Sequence, residues 1–371
     1  MMTEIVSVII PSYKDAKLLP KTLDKLLQNS YPNKEIIVVI DEPTKESLKN
    51  LQKFSEKIIL MINPKRQGKV NAYKKALERA KGEYLIFLDD DIEVVNDNFV
   101  EKIVENLKKY DFVDVRKEII RDSLLSRLVY YDYMAMNLAN YLFYRWIGRC
   151  VGVNGAAFAI RRKALEKIGG FQYTVSEDLD LGIRAYSHGL SFVFLKDLVV
   201  LNKAPKSLRD WFKQRKRWAI GAGIWIKKYF RSLVSILKRN LKACLFILFT
   251  VFPNLLIFII SLFLEESIVN KLFILLLFYL SSLLPMFIPV FTLISYSLAF
   301  LPVKTIIVAS LGFIFYSIIY YWAAKKLGHK FNILEFAAFY FVYSPIWLLI
   351  LLMGIFRVTV LKKTTVEDWV V

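Results

Sequence analysis

The chain has 371 residues, 56% of them apolar and 15% aromatic, with a formal charge of +19. The apolar share exceeds the roughly 45–50% of ordinary soluble domains, and between Ala243 and Ala324 only Glu265, Glu266, Lys271 and Lys304 are charged. A purely soluble protein, a disordered chain and an all-membrane transporter are thereby excluded; a soluble domain followed by a membrane domain is expected.

In chain order, MMTEIVSVII has no basic leader before its apolar run. It reads as a strand and not a signal peptide, which would keep the soluble domain in the cytoplasm. Residues 5–10 form that strand, and Pro11-Ser12 is expected to end it. Lys17 to Leu27 has apolar residues at helical spacing. Ile36 to Ile40 is a second strand, closed by Asp41-Glu42-Pro43. A helix over Ser47 to Phe54 leads to a third strand, Lys57 to Ile62. Asn71 to Ala80 is a helix, and Tyr84 to Leu88 a fourth strand running into Asp89-Asp90-Asp91. Apolar strands alternating with helices predict an α/β domain whose mostly parallel sheet is covered on both faces. Ligands in such sheets bind beyond the strands' carboxyl ends, where Asp41 and the aspartate triplet stand.

Residues 121–147 are an aromatic-rich helical stretch (Tyr130, Tyr131, Tyr133, Tyr141, Phe143, Tyr144, Trp146). It suits ordinary packing or, the favoured reading, a helix lying along a membrane interface. Between Lys203 and Lys242, thirteen Lys and Arg face one acid, Asp210, among Trp211, Phe212, Trp218, Trp225 and Tyr229. Nucleic acid would also take such a patch. Its place beside an apolar run favours membrane lipids instead, and no nucleic-acid partner is expected.

Runs of about 20 apolar residues predict four spans at 243–264, 272–298, 304–323 and 335–356, the first two kinked by Pro253, Pro285 and Pro289. From a cytoplasmic start, the loop Lys325 to Lys330 would face outward, against the positive-inside rule. The tail with Lys362 and Lys363 would return to the cytoplasm. Cys150 and Cys244 exclude a disulfide framework, and His188 with His329 cannot alone build a histidine-based zinc site. The expected division is a catalytic domain at 1–200, a basic interface segment at 201–242, a transmembrane domain at 243–356 and a cytoplasmic tail at 357–371.

Four groups of residues suggest chemistry. Carboxylates crowded at Asp89-Asp90-Asp91 repel one another unless a cation compensates, and oxygen ligands suit Mg²⁺ or Mn²⁺; the same triplet would also suit a solvated loop. Glu177-Asp178-Leu179-Asp180 offers a general base or a helix-capping cluster. Gln214-Arg215-Lys216-Arg217-Trp218 supplies guanidinium donors for phosphate beside an aromatic plate, or plain interface charge. Arg66-Gln67-Gly68-Lys69-Val70-Asn71 precedes a helix, whose N-terminus favours phosphate, but lacks a P-loop's spacing.

Together and in this order, these elements resemble family 2 glycosyltransferases, in particular the membrane-bound branch of cellulose, chitin and hyaluronan synthases and ceramide glucosyltransferase. The resemblance covers roughly residues 4–240 and implies a cytoplasmic GT-A fold, an inverting mechanism and a multi-pass protein of the cell membrane. VSVIIPSYKDAKLLPKTLDKLL, with Pro11, Tyr13 and Asp15, is similar to the family's nucleotide-binding start. Asp41 matches its nucleoside-contacting aspartate, although Glu42-Pro43 replaces the commoner Asp-Gly. Asp89 and Asp91 match the metal-binding Asp-x-Asp, with Asp90 at the donor. Asn154-Gly155 with Arg161-Arg162 resembles the acceptor segment. Glu177-Asp178 matches the Glu-Asp pair whose aspartate is the base, and Gln214, Arg217 and Trp218 match Gln-x-x-Arg-Trp.

On this reading a nucleotide-diphosphate sugar is the donor and Mg²⁺ or Mn²⁺ the cofactor. Lys69 and Arg217 would meet the departing charge, and Trp218 would floor the acceptor site. The acceptor is expected to be a lipid or lipid-linked molecule. A growing glycan, extended processively, is the alternative, and a transporter or silent glycan-binding membrane protein is the non-enzyme one.

Overall fold

The computed structural model describes residues 4–15, 18–264, 275, 279 and 303–365. Of the expected span 272–298 only residues 275 and 279 are described, and Glu265 and Glu266 lie outside the described residues. Strands β1 (Val6–Tyr13), β2 (Lys34–Asp41), β3 (Ile59–Asn63), β4 (Tyr84–Leu88), β5 (Ile92–Val94), β6 (Phe112–Ile119), β7 (Ala157–Arg161) and β8 (Phe192–Asn202) form one sheet. Their order is β3-β2-β1-β4-β7-β6-β8-β5. Strands β5 and β7 run against the others, so the sheet is mostly parallel, as expected.

The sheet must curl. Leu88 and Ile92 are four residues apart, a reach of about 14 Å, whereas β4 and β5 are four strand spacings apart, about 19 Å if flat. The aspartate triplet is the connection that closes this gap.

Alternate residues of the central strands enter two apolar clusters: Val8 and Ile10 pack with α1 (Leu19–Gln28), Ile9 with α3 (Lys69–Arg79). Helices α2 (Lys45–Gln52) and α4 (Phe99–Leu107) complete this part. Strand β1 does not end at Pro11-Ser12; it continues to Tyr13, with Pro11 opposite Val39. Pairing with β4 stops at Ile9, so beyond it the strand has a neighbour on one side only, where a residue lacking an N–H is tolerated.

Helix α5 (Leu124–Ile147) starts from a Ser123/Ser126 capping box and ends at left-handed Gly148. It is not an interface-lying helix. Tyr130, Tyr131, Tyr133, Met134 and Leu138 are buried, some packing with the sheet's cluster and others with the C-terminal aromatics. Its buried aromatics therefore join the two parts of the molecule, which requires apolar residues on more than one face.

After α6 (Arg162–Lys167) and α7 (Glu177–Ser187), α8 (Leu208–Arg239) runs 32 residues. The expected span 243–264 is two helices, α9 (Leu241–Val251) and α10 (Pro253–Phe263), bent by 105°. Each 11-residue piece is about 16 Å long against a hydrocarbon layer of about 30 Å, so neither crosses alone. The bend is far sharper than a kink.

Helix α11 is Val303–Leu327; α12 (Ile333–Ala338) continues through a π-helical turn (Phe339–Tyr343) into α13 (Ser344–Thr359). Within these, Ile306–Leu327 and Ile333–Thr359 are long and apolar enough to cross a membrane. Helix α13 lies along α8, with Gly354 against Ala219, a contact that leaves no room for a Cβ.

The basic loop between α11 and α12, expected to face outward, packs against the N-terminal domain. It is docked on that domain. Arg116 donates to the Leu327 carbonyl, the Lys330 N–H to the Tyr130 hydroxyl at 2.7 Å, and the Asn332 N–H to the Tyr131 hydroxyl at 2.8 Å. Buried hydroxyls on α5 need partners, and this loop supplies them. Its lysines thus lie beside that domain.

His329 sits in this seam, its Nε2 3.2 Å from Asn137 Nδ2 and its Nδ1 3.2 Å from the Tyr130 hydroxyl. Burial, helped by Arg116, pushes its pKa down to about 3, against about 6.5 in an unfolded chain. Between these values the unfolded state binds the extra proton, so this contribution is complete above pH 6.5 and is lost as pH falls. Unfolding midpoints measured from pH 4 to 7 should drop more steeply for the wild type than for His329→Gln.

Candidate active site

The carboxyl ends of β1, β2 and β4 meet α3, α7 and α8 around a cleft of about 950 Å³. Pro11, Tyr13, Asp41, Lys69, the aspartate triplet, Asn154, Gly155, Glu177, Asp178, Gln214, Arg217 and Trp218 all line it. Asp15 does not. Its carboxylate accepts from the Thr44 hydroxyl, beside the cap of α2, so it belongs to a turn outside the cleft.

At one end, buried Asp41 accepts from Asn63 Nδ2 and from the Gln67 and Gly68 N–H groups, each at 2.8 Å. A carboxylate offers about four acceptor sites, and three are used in shaping the loop that starts α3. The Tyr13 ring faces the Arg66 guanidinium at 4.3 Å, while its hydroxyl is 3.4 Å from Glu42. Arg66 is visible in the sequence only as part of a weak basic run.

In the middle, Lys69 Nζ lies 2.7 Å from Asp89 and 2.9 Å from Glu177. One ammonium thus ties the β4–β5 connection to the start of α7. Burial opposes its charge, but Asp89 and Glu177 overcome this and raise its pKa well above the usual value. Asp90 accepts from Ser12 Oγ at 2.7 Å and the Tyr13 N–H at 3.3 Å; burial raises it to about 6. Burial, then the charges of Asp89 and Asp90, raises Asp91 to about 7.

No cluster of three His, Cys, Asp or Glu side chains able to hold a metal occurs among the described residues. The crowding at Asp89 and Asp91 nevertheless fits a divalent ion. Two carboxylates suffice where substrate phosphates and water complete the shell.

Asp178, in the first turn of α7, accepts from the Gly155 N–H at 3.0 Å and the Leu179 N–H at 2.8 Å. A Cβ at Gly155 would stand 3.1 Å from its carboxylate, so glycine is what lets the acceptor-side backbone come this close. Burial, then the neighbouring Glu177, raises the Asp178 carboxyl to about 6.

Helix α8 is bolted to this turn. Trp225 Nε1 donates to the Leu179 carbonyl at 3.0 Å, and Lys228 and Tyr229 reach Asp180 at 2.7 Å. Asp180 is a brace between helices. Burial lowers the Arg217 pKa, opposed by Glu177, Asp178 and Asp89. Tyr133, which also lines the cleft, feels both Asp91 and Arg215. In the sequence it is one tyrosine in an aromatic run, with nothing to single it out.

The cleft does not stop at Trp218. It continues between the end of α8, α9 and α13, past Leu233, Ile236, Cys244, Ile247, Val251 and Leu348. Its far end is apolar.

Residues 7–169 match the family model for glycosyl transferase family 2. A probable glycosyltransferase of Bacillus subtilis, YdaM, is 26% identical over 295 residues, 74% of this chain and 67% of that protein. Glucomannan 4-beta-mannosyltransferase 1 of Cyamopsis tetragonoloba is 27% identical over 63% of this chain, which spans 49% of that protein's length. Among solved structures, the mannosyltransferase PcManGT of Pyrobaculum calidifontis, in complex with GDP-Man and Mn²⁺, superposes with a TM-score of 0.53. It is 19% identical, over 84% of this chain and 88% of that one, which speaks to fold alone.

Proposed function

The chain carries a glycosyltransferase family 2 domain of GT-A fold, and on that premise we propose that it moves a sugar from a nucleotide-diphosphate donor to a lipid or lipid-linked acceptor at the cytoplasmic face of a membrane. The observation that carries this reading is the shape of the cleft. An acidic, phosphate-suited end with Asp89, Asp91 and Lys69 opens without interruption into an apolar end between α9 and α13. A sugar acceptor with a hydrocarbon tail matches both. The basic, aromatic exposed face of α8 (Arg209, Phe212, Lys213, Phe230, Arg231) would rest on anionic headgroups.

Asp178 would take the proton from the acceptor hydroxyl, whose oxygen attacks the anomeric carbon from the face opposite the diphosphate. The bond from that carbon to the diphosphate oxygen breaks, and the configuration inverts. Arg217 and Lys69 would meet the charge growing on the departing nucleoside diphosphate, so no general acid is needed. A Mg²⁺ or Mn²⁺ ion held by Asp89 and Asp91 would neutralise diphosphate charge when bound. Tyr13 and Asp41 would frame the nucleoside, Asn154 and Gly155 the acceptor.

A base with a pKa near 6 gives the rate a defined acid limb. Below about pH 6, transfer should fall by about tenfold per unit as Asp178 takes up its proton; initial rates across pH 4.5–8 check this.

Processive synthesis of a glycan is the second reading, favoured by the plant mannosyltransferase relatives. Those relatives' names make a nucleotide-activated mannose the first donor to try. The test is a panel of nucleotide sugars with Mn²⁺ and membrane extracts, followed by mass analysis of the lipid and polymer fractions. One sugar added to a lipid supports the proposal; a ladder of repeating sugars rejects it.

A further inference from the structure

We propose that Arg215, outside the cleft, is a positioning residue for Trp218, and that Tyr343 in the π-helical turn holds it in place, so that the C-terminal helix completes the acceptor end. This inference rests on the glycosyl-transfer reading of the cleft. Arg215 stands inside the Gln-x-x-Arg-Trp motif, yet its side chain is fully buried. Its Nη2 lies 2.8 Å from Asp132 Oδ2 and 2.7 Å from the Tyr343 hydroxyl. That hydroxyl also accepts from Trp211 Nε1 at 3.1 Å and donates to Asp132 at 3.3 Å.

An ion pair this deep returns little stability after desolvation. What it supplies is register, and here it fixes α5, α8 and the α12–α13 helix against one another. The Arg215 guanidinium lies 4.2 Å from the Trp218 ring centre and 5.0 Å from that of Trp347. The two indoles meet edge to face at 6.4 Å. Nε and Nη1 of Arg215 have no hydrogen-bond partner among the described residues, and the guanidinium also faces the rings of Trp211 and Tyr343, farther off at 5.8 and 5.9 Å. Cation–π contacts strengthen where water is absent. Trp218 and Trp347 line the cleft, whereas Arg215, Asp132 and Tyr343 lie behind that lining.

The backbone irregularity has a matching role. A π-helical turn inserts one residue, rotating the helix beyond it by about 100° relative to a continuous α-helix. Here the turn ends on Tyr343, and the Tyr340 carbonyl it displaces accepts from Asn254 Nδ2 at 3.1 Å. The turn thus aims one hydroxyl at the buried pair.

The test uses the full-length protein in lipid nanodiscs, with a donor that the wild type turns over and octyl glucoside as the acceptor probe. Two rates are read: transfer to the glycoside and hydrolysis of the donor by water. Tyr343→Phe keeps the ring and removes the hydroxyl. Its transfer-to-hydrolysis ratio should fall roughly fivefold or more, with hydrolysis and nucleotide affinity unchanged. Arg215→Lys should show the same fall, because an ammonium has no plane to lay against the indole.

A general folding defect lowers both rates together, so a proportional fall in both overturns the proposal, as does an unchanged ratio. If Arg215→Lys does not fold, Tyr343→Phe decides alone. Wild type that turns over no donor at all refutes the glycosyl-transfer reading and this inference with it, whereas an active wild type with an unaltered Tyr343→Phe ratio refutes only the latter.

Discussion

Replacing Asp178 with Asn should lower sugar transfer by about 10²–10⁴-fold while leaving nucleotide-sugar affinity nearly intact. The amide keeps the carboxylate's shape, and its oxygen can still accept from the Gly155 N–H that Asp178 holds at 3.0 Å. It loses the capacity to take a proton and one acceptor oxygen, so the Leu179 N–H, which Asp178 also holds at 2.8 Å, loses that partner. The donor end around Asp41 and Lys69 is held by its own contacts, so calorimetric binding of the donor should change little. Wild-type turnover in this variant refutes the base assignment. Lost donor affinity would instead show Asp178 to be a donor ligand.

Asp114→Ala should destabilise the protein by about 3–5 kcal/mol, because it strands a buried cation. Asp114 and Lys117 pair on β6 at essentially zero exposure, with Asn140 Nδ2 2.6 Å from the same carboxylate. The Lys117 backbone is held by Asn137, whose Nδ2 donates to its carbonyl at 2.7 Å. Deleting only the acid leaves the buried ammonium with its chief partner gone. Replacing both together, Asp114→Leu with Lys117→Met, should recover most of the loss. Unfolding midpoints of the purified protein decide: equal losses for single and double variants would show that packing at β6, not the uncompensated charge, sets the cost.

Strands β1, β2 and β4 are legible because strands buried on both faces read as continuous apolar runs, and IVSVII and YLIFL are of that kind. Strand β3, at the sheet edge, is partly exposed and is legible from its apolar residues alone. Strand β6 is not, since Asp114, Arg116, Lys117 and Glu118 interrupt it; its two deepest charges satisfy each other in a way no local pattern reveals. Strand β5 has three residues, too few for any periodicity. The stretch 243–264 misleads because composition measures length and apolarity, while direction at Pro253 depends on the surface against which α10 packs.

The acidic and Gln-x-x-Arg-Trp motifs point to the cleft, because such groups punctuate the chain at strand and helix ends. Asp132, Tyr133 and Tyr343 lie within aromatic or apolar helices, and only the fold distinguishes them from their neighbours. Arg215 is hidden differently: inside a motif, it looks like one more surface charge.

The most direct test of the central claim, a single base driving in-line displacement of the diphosphate, is the anomeric configuration of the product. It can be read by one-bond carbon–hydrogen coupling at the new linkage after reaction with an α-configured nucleotide sugar. A β-linked product is predicted. An α-linked product would contradict in-line displacement with Asp178 as the base.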